Sequence, residues 1–213
     1  MTIRHHLSDT LLLAYSAGQL PEAFNLVVAT HVSLCDECRA RLLAFDAIGG
    51  AMIEAAPVEA VSEDSFEATL ARIGGASRPA EPKQRPRGLF PSPLADYVGG
   101  DLAAVKWRPL GLGVRQAILP TARDATVRLL YIPAGRAVPD HGHRGLELTL
   151  VLQGAFSDST DRFGPGDVEI ASEDLQHRPI AENGVDCICL AATDAPLRFA
   201  RLMPRLAQPF FGI

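Results

Sequence analysis

The chain has 213 residues, of which 47% are hydrophobic and 21% charged, and its net charge is −5. That length allows one domain or two, and the composition is that of a globular protein. No apolar run approaches the roughly 18 residues of a membrane span, and the opening MTIRHHLSDTLLL lacks the apolar core and small-residue cleavage site of a secretory signal, so a cytoplasmic protein with no membrane partner is expected.

Charge is unevenly spread. Residues 1–73 contain four basic and ten acidic groups, a net of −6, and residues 74–93 contain four basic and one acidic, a net of +3. An acidic first third argues against direct nucleic-acid binding, which sets Lys and Arg against phosphate, and suits a basic protein partner.

The first 73 residues read as helices. Ser8 caps a helix running to about Gly18, with Leu7, Leu11 and Ala14/Tyr15 as its apolar stripe. Pro21 starts a second, whose stripe of Leu20, Phe24, Val27/Val28 and His31 turns His31 to the covered side. Ser33 followed by Asp36 resembles a capping box and predicts a third helix from about Leu34, with Leu34, Cys38, Leu42, Phe45, Ile48 and Met52 at helical spacing. Ser62 caps a fourth, carrying Phe66, Leu70 and Ile73 and ended by Gly74-Gly75. Residues 74–93, with five prolines, three glycines and four basic groups, read as a linker.

From about Leu94 the pattern changes to short β-rich runs, VRLLYI, LELTLVL, DVEI and VDCICLAA, separated by turn signals at Pro133-Ala-Gly135, Gly154, Gly164-Pro-Gly166 and Asn183-Gly184. This spacing predicts an antiparallel sandwich or barrel of the jelly-roll type. The apolar tail LRFARLMPRLAQPFFGI is expected to pack on this second domain or on a neighbouring chain. The expected organisation is a helical domain over 1–73, a linker over 74–93 and a β domain over 94–213.

Two constellations carry chemistry. His31, Cys35 and Cys38 form H-x3-C-x2-C across the corner between helices two and three. Zinc takes four N or S donors in a tetrahedron, and the N-terminus of helix three favours thiolates. The fourth donor comes from outside the run: His6 beside the Leu7 stripe is preferred to His5. A redox pair is the competing reading of C-x2-C, but no βαβ context surrounds it. A helical unit this small has a thin core, and a metal staple would supply folding free energy. In the second half, His141 and His143 share one side of an extended segment, and Glu147 has the same parity beyond a turn at Arg144-Gly145. Two imidazoles and a carboxylate facing a barrel interior hold a divalent metal. Cys187 and Cys189 share a strand face, with buried packing favoured over a redox role.

His6 with H-x3-C-x2-C-R at His31, Cys35, Cys38 and Arg39 resembles the zinc-binding anti-sigma domain over residues 5 to about 70. Gly135-x5-His141-x-His143-x3-Glu147-x6-Gly154 resembles the first motif of the cupin family, and the run from Gly166-Asp167 to His177 its second, with departures at Ser172, Asp174 and Ala181. The two in this order resemble the ChrR-type anti-sigma factors. The resemblance implies a cytoplasmic 1:1 complex with an extracytoplasmic-function (group IV) sigma factor, inhibition by the helical domain, zinc in both domains, and release under singlet oxygen or related oxidative stress. Three His and one Glu also suit Mn, Fe or Ni in the barrel. The alternative is a cupin enzyme, a dioxygenase or isomerase, carrying a regulatory zinc module; no acid–base pair stands out beside the metal ligands.

Overall fold

The structure, a computed structural model, describes residues 2–75, 88–173 and 175–199. The helices are α1 (Asp9–Ser16), α2 (Glu22–Leu34), α3 (Asp36–Glu54), α4 (Ser65–Gly75) and α5 (Ser92–Val98). Most of the expected linker, and the tail from residue 200, lie outside the described residues.

The caps show why the first helices sit where they do. Ser8 Oγ accepts from Leu11 N at 3.3 Å, closing α1 at its start, and Gly18 at φ +66° turns the chain after it. The expected capping box at Ser33 does not form. α2 runs through to Leu34, and Ser33 Oγ donates to the Thr30 carbonyl at 2.7 Å. Cys35 is the N-cap of α3 instead, its Sγ accepting from Cys38 N at 3.4 Å. A metal-ligand candidate has displaced the serine from the capping role.

The second half is antiparallel. Its strands are β1 (Arg108–Gly111), β2 (Val114–Leu119), β3 (Thr126–Ile132), β4 (His141–Gly142), β5 (Glu147–Gln153), β6 (Phe156–Ser157), β7 (Arg162–Phe163), β8 (Val168–Ala171), β9 (Gln176–His177), β10 (Ile180–Ala181), β11 (Cys187–Thr193) and β12 (Arg198–Phe199). A six-stranded sheet runs β1-β2-β3-β11-β5-β8, and two three-stranded sheets run β10-β6-β7 and β12-β4-β9. This is the antiparallel β architecture the turn spacing predicts.

The central strands of the large sheet, β5 and β11, are buried on both faces. Along β11, Cys187 and Cys189 pack with Ile132, Val151, Phe156 and Phe163 inside the barrel, while Ile188, Leu190 and Ala192 belong to a different cluster on the other face. That second cluster contains Leu148 and Leu150 of β5 together with Phe24, Val27 and Val28 of α2. Helix α2 therefore lies across the outside of the sheet, touching β11, β5 and β3. A strand apolar on both faces needs such a cover, and each fully buried Leu, Val or Phe here contributes about 1.5–3 kcal/mol. Glu22 pins the start of α2 to its surroundings: its carboxylate accepts from Tyr97 Oη and from Ala122 N, both at 2.7 Å.

The second half of α3 and the stripe of α4 are left uncovered among the described residues. Cys38 is buried and Leu42 and Phe45 are half-buried, yet Ile48, Met52 and Ile53 are exposed. Phe66, Leu70 and Ile73 of α4 are exposed as well.

Candidate metal centres

His6, His31, Cys35 and Cys38 converge, each offering one donor atom within 4.8 Å of the others. His6 Nδ1 lies 3.3 Å from Cys35 Sγ and 3.7 Å from Cys38 Sγ. A zinc tetrahedron built from Zn–N near 2.0–2.1 Å and Zn–S near 2.3 Å has edges of about 3.3–3.8 Å, so these separations fit. The other nitrogen of each imidazole has a partner that aims the ring. His6 Nε2 faces Glu37 Oε2 at 3.3 Å, and His31 Nδ1 faces the Gly166 carbonyl at 2.9 Å. His31 Nε2 is then a buried nitrogen with no hydrogen-bond partner, directed into the cluster. Burial pulls the His31 pKa down to about 4 against the opposing Gly166 contact, which leaves a neutral imidazole with a free lone pair. Burial also pushes the Cys38 thiol up to about 11, so its proton would have to leave on binding zinc.

His5 goes the other way. Its Nε2 lies 3.1 Å from Asp161 Oδ2 and its ring packs against Phe163, tilted by 44° at a centroid distance of 4.4 Å. Of the two adjacent candidates, the structure brings His6 to the thiols.

In the barrel, His141, His143, Glu147 and His177 form a second group of four within the same limit. Register explains the meeting: β4 pairs β9 with His141 directly opposite His177, and a bend at Arg144-Gly145 returns the chain so that Glu147 opens β5. His177 Nε2 lies 3.2 Å from His143 Nε2 and 3.3 Å from His141 Nε2. The His141 Nδ1 proton points at the Pro139 carbonyl at 2.8 Å. That of His177 points at Asp158 Oδ2 at 2.7 Å and Glu169 Oε1 at 3.0 Å. With their Nδ1 atoms held by acceptors, His141 and His177 direct Nε2 toward one another, a place where a cation can sit. This donor set suits a divalent ion such as Zn, Mn, Fe or Ni.

Asp158 and Glu169 are site residues that the sequence reading missed. Burial raises Glu169 to about 7, with His177 opposing, whereas hydrogen bonds from Thr160, Glu169 and His177 outweigh burial and hold Asp158 below the usual range. One signal was available for Glu169: on β8 it shares the inward parity of Ala171, while Ile170 is exposed. Asp158 sits past β6 and carried none. Ser172 and Ala181 are among the described residues; Asp174 is not. Cys187 and Cys189 have their sulfurs 3.4 Å apart in the barrel interior. Their mutual hydrogen bond and burial raise the Cys189 thiol well above its ordinary value, as packed thiols require.

The ChrR Cupin-like domain family matches residues 96–195. The anti-sigma-E factor ChrR of Cereibacter sphaeroides is 63% identical over 213 residues, all of both chains. The chain belongs to the ChrR family of anti-sigma factors. A crystal structure of Rhodobacter sphaeroides SigE in complex with the anti-sigma ChrR matches with a TM-score of 0.81 and 62% identity, covering 91% of this chain and all of that one. The Cereibacter relative is named as an anti-sigma factor, a regulator rather than an enzyme, which sets aside the dioxygenase or isomerase alternative.

Proposed function

We propose that this chain binds an extracytoplasmic-function (group IV) sigma factor as a 1:1 cytoplasmic complex and blocks its association with RNA polymerase. The observation that carries the reading is 63% identity along the whole length of a relative named as an anti-sigma factor. That relative's name is joined by the solved SigE complex, similar to this chain over 91% of its length. Physical support comes from α3 and α4. Ile53 is 78% exposed, Met52 70%, Phe66 68% and Ile73 65%, on a segment rich in Asp and Glu. Apolar residues left without cover among the described residues mark a protein-binding face. No helix among the described residues is long and apolar enough to cross a membrane.

In this reading residues 1–73 form the inhibitory domain, 74–93 the linker and 94–213 the cupin-like domain that carries the response. Zinc occupies His6, His31, Cys35 and Cys38, and a second zinc, or Mn, Fe or Ni, occupies His141, His143, Glu147 and His177. The signal is singlet oxygen or a related oxidant, to which imidazoles and thiols are the reactive side chains. Mixing the purified chain with SigE from the solved complex and measuring mass by light scattering tests the partner. One chain per sigma factor is expected, and two non-interacting species would refute the reading. A His177→Ala variant that still releases SigE normally on photosensitised singlet-oxygen exposure would refute the sensing part alone.

A further inference from the structure

The Gly166–Asp167 turn belongs to the barrel, yet its contacts reach the front cluster. Gly166, at φ +88°, adopts a backbone conformation that favours glycine and presents its carbonyl 2.9 Å from His31 Nδ1. Asp167 Oδ1 accepts from Arg4 N at 2.6 Å and His5 N at 2.9 Å, and Val168 N donates to the His5 carbonyl at 3.2 Å. Asp167 Oδ2 accepts from Gly164 N at 2.8 Å, which holds the carboxylate in place. Asp167 as a whole is 3% exposed. His5 is the neighbour of His6. Barrel groups therefore reach both imidazoles of the front cluster, His31 directly and His6 through its neighbour, beside the Glu37 contact from α3, whereas both thiols are located by α3.

We infer that Asp167 is a positioning residue of the front metal centre, so that metal affinity at His6, His31, Cys35 and Cys38 depends on the barrel half of the chain. The carboxylate fixes the backbone at Arg4 and His5, and this sets where His6 enters. The same turn aims His31 through the Gly166 carbonyl. Hydrogen-bond partners of this kind, once removed, typically lower metal affinity by about 10–100-fold. A centre assembled this way is a joint between the two halves, and any linkage across it acts in both directions. Asp167 also stands two residues from Glu169, whose carboxylate contacts His177. The inference rests on the reading of the front cluster as a metal centre.

The test is a cobalt(II) titration of the full-length, metal-free chain, competed with a chelator. The thiolate-to-cobalt charge-transfer band reports the front centre, because the barrel group contains no thiol. Asp167→Ala is expected to weaken front-centre binding by about 10–100-fold while cobalt still binds the barrel. Asp167→Asn, which keeps an oxygen for the Arg4 and His5 amides, is expected to recover part of the loss. Front-centre affinity within about twofold of the unsubstituted chain in Asp167→Ala overturns the inference, given the 10-fold minimum expected. If Asp167→Ala does not fold, Asp167→Asn decides on its own: a measurable loss supports the role and an unchanged affinity overturns it. Absence of the thiolate band from the unsubstituted chain removes the centre itself, and the positioning role with it, which separates the two failures.

Discussion

The Nε2 atoms of His141 and His177 face each other at 3.3 Å, and the Nδ1 atom of each ring is already committed to an acceptor. Two lone pairs at that distance repel unless a proton or a cation lies between them. Without a metal, a proton can fill the role: burial works against it, but Glu169 and then Asp158 raise His177 to about 9. Replacing His177 by Ala, or Glu147 by Gln, is expected to remove one metal ion per chain and leave the thiolate centre loaded. Native mass spectrometry of the full chain reads both directly. Unchanged stoichiometry in both variants would contradict the barrel centre.

Cys35 caps α3 and Cys38 is buried with a backbone hydrogen bond from Leu7, so the front thiols belong to the core as well as to the candidate metal cluster. Structural zinc contributes about 10–16 kcal/mol of binding free energy in small zinc-dependent units. Even a fraction of that is felt here, because 1 kcal/mol shifts the melting midpoint of a chain this size by about 2–4 °C. Chelation, or Cys38→Ser, is expected to lower the midpoint followed by circular dichroism by about 10 °C or more. A melt insensitive to chelator would show that the front cluster holds no structural ion.

Exposed and covered apolar residues should separate cleanly. Ile53→Asp and Phe66→Asp remove uncovered side chains, so stability should stay within about 0.5 kcal/mol while SigE affinity falls by about tenfold or more. Phe24→Ala, on the covered face of α2, should cost about 3–5 kcal/mol. Calorimetry for binding and chemical denaturation for stability measure the two effects independently.

Asp167 also carries a pH dependence. Burial opposes ionisation, but amide hydrogen bonds from Gly164, His5 and Arg4 bring its pKa below the ordinary aspartate value. A carboxylate depressed on folding contributes stability that is present above its unfolded pKa and lost as pH falls through the folded one. The unsubstituted chain should lose stability as pH drops below about 4, and Asp167→Asn should show a shallower acid limb. Equal slopes in melting experiments across that range would show that the carboxylate makes no net contribution.

Both candidate clusters were largely legible in the sequence because their spacing is local: H-x3-C-x2-C spans one helix corner, and His141, His143 and Glu147 lie within seven positions. His5 and His6 were not separable that way. What distinguishes them is the docking of His5 on Phe163 and Asp167, more than 150 residues away. Ser33 looked like the cap of α3, yet a serine pattern cannot anticipate a cysteine sulfur two residues on taking the role by accepting from Cys38 N. The periodic stripes of α3 and α4 reported amphipathic helices correctly, but periodicity does not say what covers the face. For α2 the cover is the sheet, which is why CICLAA is apolar at every position; for α4 no cover exists among the described residues.

The most direct measurement of the central claim is reconstituted transcription. SigE and core RNA polymerase are combined on a SigE-dependent promoter, and the zinc-loaded full-length chain is added at increasing ratio. Transcript should fall in proportion and reach its floor near one chain per sigma factor, with a housekeeping promoter unaffected. Transcript that persists at several-fold excess of correctly metallated chain would contradict the account.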